Sequence, residues 1–96
     1  MGLGEVPNPL KIERQSDGKT TIIWLIGRIR AEHLQEIRKQ MAISSEPIIF
    51  DLSEVTIVDA DVIRFLNVSE LEGTRFVNCP PYIREWILRE RGEGER

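Results

Sequence analysis

The stretch that most limits the fold is Thr20-Thr21-Ile22-Ile23-Trp24-Leu25-Ile26, which is apolar or β-branched throughout and carries no charge. A run of this kind is a strand with cover on both faces. Its side chains divide by parity: Ile22, Trp24 and Ile26 point one way, Ile23 and Leu25 the other. Upstream, Leu10 to Gln15 alternates apolar and polar residues, the period of a half-buried strand. Ser16-Asp17-Gly18-Lys19 lies between the two runs, and Asp-Gly in that position signals a hairpin. The last helix or the N-terminal segment is expected to cover the second face of this strand; a homodimer or another partner is the alternative cover.

Gly27 is expected to end the strand. From Ala31 to Ala42 the period changes to that of a helix: Ala31, Leu34, Ile37 and Met41 recur three or four apart, with Glu32, Glu36, Arg38 and Lys39 on the wet side. Ser44-Ser45-Glu46-Pro47 breaks the pattern, and the run from Pro47 to Leu52 reads as a short central strand. Asp59 or Ala60 opens a second helix, with Val62, Phe65, Leu66 and Ser69 on one face and Gly73 as its C-terminal cap. Arg75 to Cys79 reads as a fourth strand. Pro80-Pro81 starts a last helix that packs through Tyr82, Ile83, Trp86 and Ile87. The element order is ββαβαβα: one α/β domain over residues 10–90, with a four-stranded mixed sheet and about three main helices. Residues 1–9 read as a loose lead-in and 91–96 as a frayed tail.

The chain has 96 residues, enough for one core, and a net charge of −3 with both signs interspersed. The absence of a basic stripe argues against nucleic acid and against an anionic membrane surface. One cysteine and one histidine cannot build a disulfide or a structural zinc site. No apolar run reaches the roughly 18 residues of a membrane span, and the start lacks the pattern of a signal peptide. A cytoplasmic chain without a cofactor is expected.

Ile48-Ile-Phe-Asp-Leu-Ser-Glu-Val-Thr-Ile-Val-Asp-Ala-Asp-Val-Ile-Arg-Phe-Leu66 resembles the central segment of STAS domains, the anti-sigma factor antagonists and related domains of sulfate transporters. Asp51-Leu52-Ser53-Glu54-Val55 matches the family's Asp-Leu-Ser-x-Val, and Asp59-Ala60-Asp61-Val62 stands where Asp-Ser-Ser-Gly opens a helix. Leu25-Ile26-Gly27-Arg28-Ile29 is similar to the family's entry to its first helix. The resemblance covers roughly residues 10–90 and implies a regulatory module that docks another protein, such as an anti-sigma-type kinase or a signalling assembly. In the family a serine of that turn is phosphorylated. Here Asp61 takes its place, Ala60 the preceding serine and Val62 the glycine, so the turn keeps no hydroxyl for that switch.

Asp59 is expected to shape the turn as a helix N-cap. Asp61 in the first helical turn either complements the helix dipole or supplies a fixed charge that imitates a phosphate in part. Ala60 and Val62 are expected to set the contour of the contact, with Ser53 and Trp24 as secondary contacts. Thr56-Ile57-Val58-Asp59-Ala60-Asp61 also resembles the first motif of haloacid dehalogenase-type phosphatases. That chemistry requires a lysine on a later strand, and no lysine follows Asp61. His33 reads as a boundary residue, Cys79 as a half-buried filler, and Trp86 as core. The rival functions are a small-ligand carrier or sensor, with an apolar pocket around Trp24 and Phe50, and a dimerising structural subunit.

Overall fold

The computed structural model describes residues 10–94, with side chains to Gly92. β1 (Leu10–Ser16) and β2 (Thr21–Ile29) form the expected antiparallel hairpin. Asp17 makes the turn: its Oδ1 accepts the N–H groups of Lys19 and Thr20 at 2.8 and 2.9 Å. This side chain mimics a backbone turn and so competes well with continued strand.

β2 does not end at Gly27. At a φ of 99° Gly27 takes a backbone shape that side chains resist, and the strand bulges between Gly27 and Arg28 before running on to Ile29. The extension has a partner missing from the expected order, β4 (Val55–Val58). β3 (Ile48–Asp51) pairs in parallel with the first half of β2, β4 with the second half, and β5 (Arg75–Val77) with the outer side of β3. The mixed sheet therefore has five strands instead of four. β3 and β4 follow one another along the same edge of β2, separated by a turn in which the Ser53 N–H donates to Asp51 Oδ1 at 2.9 Å.

A single 3₁₀ turn (Ala31–His33) leads into α1 (Leu34–Ala42); α2 (Ala60–Leu71) and α3 (Pro81–Gly94) complete the fold. Register shows where the helices lie. Arg14, Ile23, Phe50 and Phe76 occupy one face of the sheet. Arg14 donates to the carbonyl of Gln40 on α1, Phe50 meets Phe65 of α2, and Arg84 of α3 lies over Phe76. All three helices thus cover this one face. Ile23, Leu25, Phe50, Ile63, Leu66, Ile83 and Ile87 are buried between the two layers. The last helix accordingly does not cover the second face of β2. There Ile22, Trp24 and Ile26 are half-buried beside Ile49, with no helix over them among the described residues; the N-terminal segment, the other expected cover, lies outside those residues.

Helix ends follow local chemistry. Past α2, Gly73 adopts a φ of 109°. Its N–H donates to Glu70 O and the Thr74 N–H to Ser69 O, the paired bonds that satisfy a helix's last carbonyls. α3 continues through Arg91 to Gly94, past the expected end of the domain at residue 90. Residues 1–9 and 95–96, which hold the expected lead-in and the end of the expected tail, lie outside the described residues. No helix among the described residues is long and apolar enough to cross a membrane.

Candidate docking site

The turn before α2 is built by Asp59. Its Oδ1 accepts the Val62 N–H at 3.0 Å, the N-cap bond expected from sequence. Its Oδ2 accepts the Ala31 N–H at 3.0 Å, so one carboxylate ties the start of α2 to the 3₁₀ turn before α1. With both oxygens engaged by backbone donors, Asp59 is a structural clamp and is not poised as a nucleophile.

The neighbouring residues divide sharply. Val62 is fully buried, so the expectation that it lines a contact fails; it belongs to the core. Ala60 is half-buried. Asp61 projects outward with 59% of its side chain exposed, and it pairs with Arg64, one turn along, at 2.6 Å. Asp61 is the exposed residue of this turn.

Asp61 stands at one end of a groove of about 780 Å³ that runs between α1 and α2. Leu34 and Met41 line it from α1, Phe65 and Val68 from α2, and Ile48 from below. The groove exists because α2 packs closely on α3 while α1 stands off from it. Arg38 lies over the Phe65 ring at 5.1 Å, a cation–π contact that holds its guanidinium at the groove's rim. Val68 remains 49% exposed. Sequence reasoning put Arg38 on the wet side and Phe65 in the core, and it missed the groove they share. Val68 was the available signal, an exposed apolar residue on α2 outside its packing stripe.

The secondary candidates lie elsewhere. Ser53 is exposed in the turn after β3, where it serves Asp51. Burial pushes the Asp51 carboxyl up, but hydrogen bonds from the Ser53 backbone and hydroxyl, the Asn78 amide and the Trp24 indole outweigh it and hold the group below the usual carboxylate range. Trp24 is therefore engaged on the face of the sheet opposite the helices. It pairs in register with Asp51, whereas Phe50 pairs with Ile23 on the helical face. Trp24 and Phe50 point to opposite sides of the sheet, and the pocket expected around both does not form.

His33 accepts the Arg30 N–H through Nδ1 at 2.9 Å and so closes the 3₁₀ turn. Burial raises the Cys79 thiol above its ordinary range, as suits a filler and not a nucleophile. Trp86 packs against the core, half-buried. No three His, Cys, Asp or Glu side chains converge among the described residues. No protein-family model matches the sequence, and neither does any curated protein.

Proposed function

We propose that the chain is a non-catalytic regulatory module of the STAS type that docks a protein partner along the α1–α2 groove, with Asp61 as a fixed charge at its mouth. The observation that carries this reading is the position of Asp61, exposed at the end of an apolar-floored groove and two residues from the clamp that sets the groove's entrance. The STAS-type reading is supported by the strand–turn–helix context of Asp51 to Leu66 and by parallel strands joined through helices on one face. By analogy with that family, an anti-sigma-type kinase or a larger cytoplasmic signalling assembly is the kind of partner expected. Without a hydroxyl at the turn, the contact is constitutive or controlled elsewhere.

Affinity purification from the cells that make the protein tests this. Tagged wild type, Asp61→Ser and Val68→Glu are compared by quantitative mass spectrometry. A partner held by wild type and depleted with both variants is expected; equal recovery with all three rules out this groove as the contact.

The sheet face that no described helix covers favours a second reading, a homodimer through Ile22, Trp24 and Ile26. Light scattering of wild type and Trp24→Glu separates the two, since a strict monomer at high concentration removes the dimer.

A further inference from the structure

We infer that the α1–α2 groove receives an amphipathic helix of the partner, carrying a carboxylate that pairs with Arg38. The inference rests on the docking reading above and names the occupant.

The shape of the groove comes first. Its walls are two helices, of nine and twelve residues, and most of its lining side chains belong to them. The backbone groups of those walls are spent on their own helical bonds, so an extended peptide would find no strand edge to join. A helix satisfies its own backbone and offers only side chains, which suits the apolar floor of Leu34, Met41, Phe65 and Val68. Walls of this length accommodate about three turns of helix.

Charge selects the occupant further. Of the two arginines that line the groove, Arg64 has an acidic neighbour in Asp61. Arg38 has none among the described residues, and the Phe65 ring is its contact. Stacking holds the planar guanidinium in place and leaves its N–H donors unused, an arrangement already set for a carboxylate. Glu72 lines the far end of the groove, likewise without a partner for its side chain among the described residues. It lies seven positions after Phe65, about 10 Å along α2. The matching helix therefore carries an acid toward Arg38, a base about two turns away toward Glu72, and apolar residues between them at helical spacing.

A displayed library of three-turn amphipathic helices, selected on the immobilised full-length chain, provides the probe. Enriched sequences should share an Asp or Glu on the apolar face. A synthetic peptide of the leading sequence should lose about tenfold in affinity when that acid becomes its amide, and about tenfold on Arg38→Gln. The two losses should not add when combined, because each removes the same pair. Arg38 and Val68 are exposed, and circular dichroism checks that their variants fold.

Losses that add, or enrichment with no acidic preference, overturn the inference while leaving the groove as a docking site. Peptides that bind Val68→Glu as well as wild type overturn the docking reading itself. Failure to enrich any helix, or a concentration-dependent dimer abolished by Val68→Glu, gives the groove a different occupant and also overturns the inference.

Discussion

Along its α3 flank, α2 is sealed. Glu70 receives both terminal nitrogens of Arg84, at 2.8 and 3.0 Å, and a further bond from Arg91 at 2.9 Å, while Arg91 also reaches Asn67 at 2.8 Å. Beneath that network Ile83 and Ile87 are fully buried. Along its α1 flank the same helix is left open: a ring is capped by one arginine, Val68 faces out, and no ion pair among the described residues crosses the gap. A chain able to close one seam so thoroughly leaves the other unclosed over about three turns of helix. Stability is thus concentrated on the α3 flank of α2, and the α1 flank contributes little to it.

Truncation of the two flanks should break the comparison most directly. Ile87→Ala on the sealed side removes a fully buried side chain and is expected to cost about 2–5 kcal/mol in denaturant unfolding. Val68→Ala on the open side should stay within about 0.5 kcal/mol. If Val68→Ala cost as much as Ile87→Ala, the groove would be core, closed in solution.

The two aspartates that begin α2 repeat the contrast at smaller scale. Asp59→Ala removes the N-cap and the link to Ala31, an expected loss of about 2 kcal/mol. Asp61→Ala loses a helix-dipole interaction and an exposed ion pair, about 0.5 kcal/mol together. Thermal melts of the two variants side by side check this, and similar losses would mean that Asp61 also carries structure.

The sealed flank should also be sensitive to acid. Hydrogen bonds from Arg84, opposed by burial and aided by Arg91, hold the Glu70 carboxyl below its ordinary value. A depressed folded pKa gives stability that is present above the unfolded value, about 4.3 for glutamate, and is lost as pH falls through the folded one. Wild type should therefore lose stability below about pH 4.5 more steeply than Glu70→Gln, for which that contribution is already gone. Parallel unfolding curves from pH 6 to pH 3 would show that Glu70 does not hold the seam.

Much of this architecture could be read directly from the chain. The hairpin rests on alternation and Asp-Gly, α1 on its period, and α2 on the Asp59 cap and Gly73, all of them local signals. What escaped depends on distant partners. β4 buries Val55 and Val58 and exposes Thr56 and Ile57, a pattern without the strand period, and it is a strand only because β2 continues past Gly27 to meet it. Arg91 is helical where its glycine-rich neighbours suggested a tail, because Glu70 and Asn67 hold it from α2. Parity placed Trp24 on one face of its strand, but only the register of β3 shows that Phe50 faces the other way. The same holds for the site. Asp59 as a cap was legible in residue type and position, whereas the groove depends on the distance between two helices, which no local pattern encodes.

The smallest expected effect separates the charges at the mouth of the open flank. Arg64→Gln breaks an exposed ion pair with Asp61 and should change stability by about 0.3 kcal/mol. Its consequence for binding should be larger. In wild type the two charges largely cancel at the groove mouth, so removing Arg64 uncovers the carboxylate, and removing the carboxylate leaves Arg64 only its longer 4.0 Å contact with Glu90. A partner with a basic group at that end should bind Arg64→Gln more tightly and Asp61→Asn more weakly; an acidic group reverses both signs. Affinities measured at two salt concentrations distinguish this from packing, because an exposed charge effect fades as salt rises. Shifts of the same sign in both variants would mean that the closed pair, and not Asp61 alone, forms the contact.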